Sequence, residues 1–209
     1  SGKSLAYQLP ALDAIHRSEL RVLADPGKIH DDGAVTLYLS PTKALAADQL
    51  SAIRALKLPT VRAETYDGDT DPASRRWIRD HANFILANPD MLHFGILPNH
   101  AWWARFFRRL RYVVVDEAHS YRGVFGSHVA NLMRRLRRIC AYYSPDGPGP
   151  VFIAASATAS EPGTSFGRLI GAPVRAVASP RSGSGRCWER VSRSARSGSS
   201  RPARSRCSA

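Results

Sequence analysis

Short apolar runs along this chain alternate with stretches whose apolar residues recur every three to four positions. The runs Val35–Ser40, Val61–Tyr66, Asn83–Ala87, Tyr112–Val115 and Val151–Ala155 are rich in β-branched and aromatic residues and predict strands. Helical periodicity between and beside them predicts helices over Ser4–His16, Leu45–Leu56, Asp71–Asp80, Trp102–Arg109 and Ser127–Tyr142. The run Tyr112-Val113-Val114-Val115 shows no polar alternation, which suits a strand covered on both faces. Strands alternating with helices predict an α/β fold, a doubly wound parallel sheet. Ligands of such sheets sit beyond the carboxyl ends of the strands, so residues just after predicted strands are the ones to read for chemistry.

The pattern stops abruptly at Ser179. The last 31 residues hold one Val, no Leu and no Ile, and are dominated by Ser, Arg and Gly. Such a segment buries too little apolar surface to offset its ordering entropy, which predicts a domain over 1–178 and a disordered tail over 179–209. The Arg, Ser, Gly and Pro bias of the tail suggests a shifted reading frame in a GC-rich gene. A loop is expected around Tyr143–Pro150, which carries three prolines and two glycines.

Charge and cysteines narrow the picture. The chain carries +13, and a basic balance points to an acidic partner such as nucleic acid. More than half of that charge lies in the tail. Residues 1–178 hold 22 Lys+Arg against 16 Asp+Glu, leaving only +6. Nucleic-acid binding by the folded part must therefore rest on motifs. Cys140, Cys187 and Cys207 show neither CxxC pairing nor zinc-like His spacing, and fit a reducing cytoplasm better than a disulfide scaffold. No apolar run is long enough for a transmembrane helix.

Three motifs carry chemistry. Gly2-Lys3-Ser4 opens a helical pattern and matches the second half of a phosphate-binding P-loop. Backbone N–H groups at the helix start would cradle phosphates, Lys3 would reach the β- and γ-phosphates, and Ser4 would ligate Mg²⁺. Alone, the tripeptide reads equally as a helix start with Ser4 as N-cap. Asp116-Glu117-Ala118-His119 follows the strand Tyr112–Val115 directly. There Asp116 would hold the metal and Glu117 would orient and deprotonate a water; the plain alternative is a solvated acidic turn. Ser156-Ala157-Thr158 follows another strand, and its hydroxyls can bond His119; alone it is an ordinary strand-ending turn.

In this order, the three motifs resemble those of the superfamily-two DEAD/DEAH-box helicases. The resemblance covers roughly residues 1–178 and includes Ser40-Pro41-Thr42-Lys43-Ala44-Leu45-Ala46, Tyr66-Asp67-Gly68-Asp69-Thr70 and Asn88-Pro89-Asp90-Met91-Leu92-His93. Tyr121-Arg122-Gly123-Val124-Phe125-Gly126 is similar to a bacterial and fungal branch of DNA helicases ending in a cysteine cluster. The resemblance implies a RecA-like P-loop NTPase domain that uses ATP and Mg²⁺ and couples hydrolysis to translocation along nucleic acid, DNA rather than RNA. It implies Gly2, Lys3 and Ser4 at the nucleotide, and Lys3, Asp116, Glu117 and His119 in catalysis. His119, Ser156 and Thr158 would serve coupling, with Ser4 and Asp116 on the metal. Pro41, Thr42, Lys43, Gly68 and Asn88 would meet the phosphodiester backbone without reading bases.

Against that pattern, the sequence departs at both ends. The start of the P-loop with its preceding strand, a second helicase domain and the cysteine cluster are absent, so an N-terminally truncated fold with weak or no ATPase activity of its own is expected. Two rival readings remain open: a non-enzymatic nucleic-acid-binding remnant, and the motor subunit of a translocase or restriction system. Two arginine-rich stretches read as packing helices. In Arg105–Arg111, Phe106, Phe107 and Leu110 should pack while the arginines face water. Arg134, Arg135, Arg137 and Arg138 read as a solvated helix face.

Overall fold

A computed structural model describes residues 2–25, 33–156, 162–178 and 187–190. The expected strands form as β1 (Val35–Leu39), β2 (Ala63–Thr65), β3 (Phe84–Ala87), β4 (Leu110–Val115) and β5 (Val151–Ala155). They lie in the order β2-β3-β1-β4-β5, every neighbour parallel. The sheet is continued by β7 (Cys187–Arg190) and β6 (Arg175–Ala178), with β5–β7 and β7–β6 antiparallel.

The helices are α1 (Gly2–Ala24), α2 (Lys43–Ala55), α3 (Pro72–His81), the single turn α4 (Pro89–Met91), α5 (Ala104–Arg109), α6 (Gly123–Tyr143) and α7 (Pro162–Ile170). Helix α4 runs on into a π-helical turn over Leu92–Ile96. Strand residues point alternately to two cores. Leu37, Leu39, Ile85, Val113, Val115 and Phe152 pack with Phe106, Phe107 and the buried stripe Val129, Met133, Leu136 and Cys140 of α6. Tyr38, Phe84, Leu86, Val114 and Ile153 pack with Tyr7, Ala11, Leu12 and Ile15 of α1 and with Ile53 of α2. Helices on both faces explain why β1, β3 and β4 read as unbroken apolar runs. Burial pushes the Cys140 thiol up to about 12.

Local chemistry sets several boundaries. Asp71 caps α3, accepting from Ala73 N and Ser74 N at 3.0 Å each, with Pro72 at the first helical position. Helix α6 begins four residues before the expected Ser127. Gly123 takes φ +60°, a left-handed conformation that favours glycine. At Gly126, a Cβ would stand 2.5 Å from the Tyr121 carbonyl oxygen, so only glycine lets the chain close here.

Within the tail expected to be disordered, residues 187–190 form β7; strand pairing satisfies backbone N–H and C=O groups and needs no Leu or Ile, and β5 offers an edge for it. The remainder of 179–209 lies outside the described residues. One expectation is corrected: two of the α6 arginines expected to face water cap α7. Arg137 Nη1 donates to Ile170 O at 3.0 Å and Gly171 O at 2.6 Å, and Arg134 Nη2 to Arg168 O at 3.4 Å. The carbonyls at a helix carboxyl end lack intrahelical donors and attract cations. Arg135 Nη1 meets His93 Nδ1 at 2.9 Å, and Arg138 is exposed. No helix of the described residues is long and apolar enough to cross a membrane.

Candidate nucleotide and nucleic-acid site

The DEAH segment leaves the carboxyl end of β4. Asp116 is buried, and its N–H continues the ladder by donating to Leu39 O at 2.9 Å. One carboxylate oxygen, Oδ1, accepts from Glu117 N at 2.9 Å. The other, Oδ2, accepts from the hydroxyl of Tyr38 on the neighbouring strand β1. Glu117 turns the chain through a left-handed conformation, φ 45°, which costs a non-glycine residue about 1–3 kcal/mol and marks a turn held by its surroundings. His119 follows in a 3₁₀ turn, with Nδ1 3.1 Å from Glu117 Oε2.

Gly2, Lys3 and Ser4 form the first turn of α1, the helix that packs on β1, β4 and β5. The side chains of Gly2 and Lys3 lie outside the described residues. Ser4 Oγ accepts from Gln49 Nε2 at 3.5 Å, and Gln49 Oε1 accepts from Tyr7 OH at 3.0 Å and Gln8 Nε2 at 3.1 Å. The Tyr7 and Tyr38 rings stand 5.8 Å apart between centroids. A polar seam thus leads from Ser4 through Gln49 and Tyr7 to the tyrosine that holds Asp116. Burial, with Asp116 beside it, pushes the Tyr38 phenol far up, so Tyr38 stays a donor. Burial raises Tyr7 to about 12.

None of Tyr7, Tyr38 and Gln49 was among the candidates read from sequence. The available signal was Tyr38 itself, a phenol in a buried strand, whose hydroxyl needs a partner.

Ser156 directly follows β5 as expected; among the described residues its Oγ is buried without a hydrogen-bond partner, and it makes no bond to His119. His119 Nδ1 is likewise buried without a hydrogen-bond partner among the described residues. Thr158 lies outside the described residues. His119, Tyr121 and Ser156 line a cleft of about 690 Å³ between α6 and α7, together with Arg134 and Arg168. Burial and Asp116 raise the Tyr121 phenol well above its ordinary value.

The nucleic-acid candidates gather at the carboxyl ends of β1, β2 and β3, adjacent strands. Thr42 caps α2 through Oγ1, accepting from Leu45 N at 3.3 Å. Asn88 caps α4, accepting from Met91 N at 2.7 Å. Pro41 precedes Thr42 at the same edge. Gly68 sits in a turn held by Thr70 Oγ1, which accepts from Asp67 N at 3.0 Å, with Arg75 donating to Asp67 O and Gly68 O. Lys43 ion-pairs with Asp69 of that turn, joining the β1 and β2 ends. Helix starts and loop amides at one edge suit phosphate contacts.

A family model for the DEAD/DEAH box helicases matches residues 1–165. The chain belongs to this family. It is 46% identical over 180 residues to the ATP-dependent helicase YprA of Bacillus subtilis, covering 85% of this chain and 22% of that protein. It is 46% identical over 167 residues to the ATP-dependent helicase HRQ1 of Saccharomyces cerevisiae, covering 78% of this chain and 14% of that protein. The crystal structure of the helicase MrfA bound to DNA superimposes with a TM-score of 0.72 at 45% identity, over 82% of this chain and 21% of that one. MrfA bound to DNA and AMPPNP gives a TM-score of 0.71 over 82% of this chain and 22% of that one. The parallel sheet with its flanking helices is therefore the RecA-like helicase fold. The chain spans about a fifth of the length of YprA.

Proposed function

We propose that this chain is a motor segment of an ATP-dependent DNA helicase, acting in a cytoplasmic setting, with residues 1–178 as the ATP-binding domain. The observation that carries the reading is Asp116, a buried carboxylate at the end of a central strand, held by Tyr38 and by its own following amide. In this reading Gly2, Lys3 and Ser4 bind the phosphates of ATP at the start of α1. Glu117 takes the proton of the attacking water, and His119, Ser156 and Thr158 pass the nucleotide state to the strand-binding edge.

The residues read as metal ligands offer oxygen donors: the carboxylate of Asp116 and the hydroxyl of Ser4, with the Glu117 carboxylate beside Asp116. Such a set fits Mg²⁺, which binds through one or two carboxylates plus substrate phosphates. When bound, Mg²⁺ neutralises charge on the phosphates; Asp116 and Ser4 would hold it.

Pro41, Thr42, Lys43, Gly68 and Asn88 bind the phosphodiester backbone of DNA, independently of sequence and sensitively to salt. The preference for DNA draws on the MrfA complexes, solved with DNA. The test is a graft. Residues 4–178 replace the matching segment of the Bacillus subtilis relative, and ATP hydrolysis is followed with and without single-stranded DNA. Hydrolysis stimulated by DNA supports the motor. Retained DNA binding with no response to ATP and Mg²⁺ supports a non-enzymatic binding remnant instead.

A further inference from the structure

We propose that Tyr38 is a positioning residue for the metal site: its hydroxyl fixes the rotamer of Asp116, and the Tyr7–Gln49 pair ties Ser4 to the same frame. The inference rests on the reading of Asp116 and Ser4 as metal ligands and adds what holds them in register.

The geometry is specific. Tyr38 is wholly buried near the carboxyl end of β1, and its hydroxyl donates to Asp116 Oδ2 across the β1–β4 pair. Glu117 N occupies one lone pair of Oδ1. Each carboxylate oxygen thus has one fixed donor and keeps its other lone pair for a cation. A carboxylate with a single donor could rotate about its Cβ–Cγ bond, whereas two donors on different oxygens pin it. A hydrogen bond to a charged acceptor inside the protein is among the stronger kinds. A neutral phenol orients the carboxylate without cancelling its charge, as a lysine in the same place would.

The far end of the seam concerns the other ligand. Ser4 belongs to α1 and Asp116 to the end of β4, with no direct hydrogen bond between them. Gln49 of α2 accepts from Tyr7 and Gln8 and donates to Ser4, so one amide group links the first turn of α1 to the tilted Tyr7–Tyr38 pair behind Asp116. Groups that orient metal ligands from behind commonly matter to metal affinity by roughly 10–100-fold.

The experiment measures binding of a fluorescent ATP analogue to the 209-residue chain as Mg²⁺ is titrated, and again in EDTA. Tyr38→Phe removes one oxygen from a buried site. It should raise the Mg²⁺ needed for half-maximal binding by roughly tenfold or more, while affinity in EDTA stays at the wild-type level. A general loss of structure would weaken both. Gln49→Met should also raise the Mg²⁺ requirement, and it carries the test if Tyr38→Phe does not fold. Wild-type Mg²⁺ dependence in both variants, with a raised requirement in Asp116→Asn, overturns the positioning role and leaves the ATPase reading standing. Wild-type Mg²⁺ dependence in Asp116→Asn as well, or no nucleotide binding by the wild-type chain, overturns both.

Discussion

The ammonium of Lys43 is held by the carboxylate of Asp69, one residue past Gly68, so the charge proposed to meet a DNA phosphate is already paired in the free protein. The hydrogen bond to Asp69 and the nearby acidic charges raise the Lys43 pKa, keeping it cationic. A phosphate must share Lys43 with Asp69 or displace it. Asp69→Asn should therefore tighten binding of a thymidine oligomer by about 2–5-fold, the range expected for an exposed pair. Lys43→Ala should weaken binding and reduce the slope of log affinity against log salt by about one. Fluorescence anisotropy at several salt concentrations measures both, and unchanged affinity in the two variants removes Lys43 from the DNA edge.

Helix α7 depends on side chains from another helix for its carboxyl end. Arg137 donates to two carbonyls there, Ile170 O and Gly171 O. Arg137→Met keeps the aliphatic stem and removes both bonds. The expected loss is about 1 kcal/mol, with the unfolding midpoint lowered by about 2–4 °C in a domain of this size. Arg138→Met, on the exposed side of α6, should leave the midpoint where it is. Equal midpoints for wild type and Arg137→Met in a thermal melt would show that water caps α7 equally well.

The most legible part of the chain was its sheet. All five parallel strands fall where strand runs were read; the central ones are mostly apolar because both faces are buried, while the edge strand β2 keeps Glu64 and Thr65 half-exposed. Less legible was whatever depends on partners distant in sequence. Helix α1 continues past His16 to Ala24, and there Glu19 pairs with Arg62, 43 residues on, through two guanidinium bonds. The strand β7 pairs through its backbone, which composition cannot report. At the candidate site, Asp116 and Glu117 stand out from their motif, while Tyr38 and Gln49 matter through contacts that only the fold creates.

The Glu19–Arg62 pair also sets a pH dependence. Burial alone would raise Glu19, but the hydrogen bond and charge of Arg62, with help from Asn83, bring it net below its ordinary value of 4.5. A carboxylate depressed in the folded state stabilises the protein above its unfolded pKa, and that stability is lost as pH falls through the folded value. Glu19→Gln should destabilise the domain near neutral pH and reduce the loss of stability below about pH 4.5. Parallel acid unfolding curves for wild type and Glu19→Gln, offset by a constant, would contradict this assignment.

The division of labour between Asp116 and Glu117 is the centre of the account. The direct measurement is steady-state ATP hydrolysis by the helicase graft carrying Glu117→Gln, beside equilibrium binding of the ATP analogue. In the proposed reading Glu117 acts on water, whereas Ser4 and Asp116, with the host's own residue at the Lys3 position, hold nucleotide and metal, so DNA-stimulated hydrolysis should nearly vanish while nucleotide affinity stays within a few-fold of wild type, about 1 kcal/mol. Near-normal turnover in Glu117→Gln, or binding lost together with turnover, would contradict it.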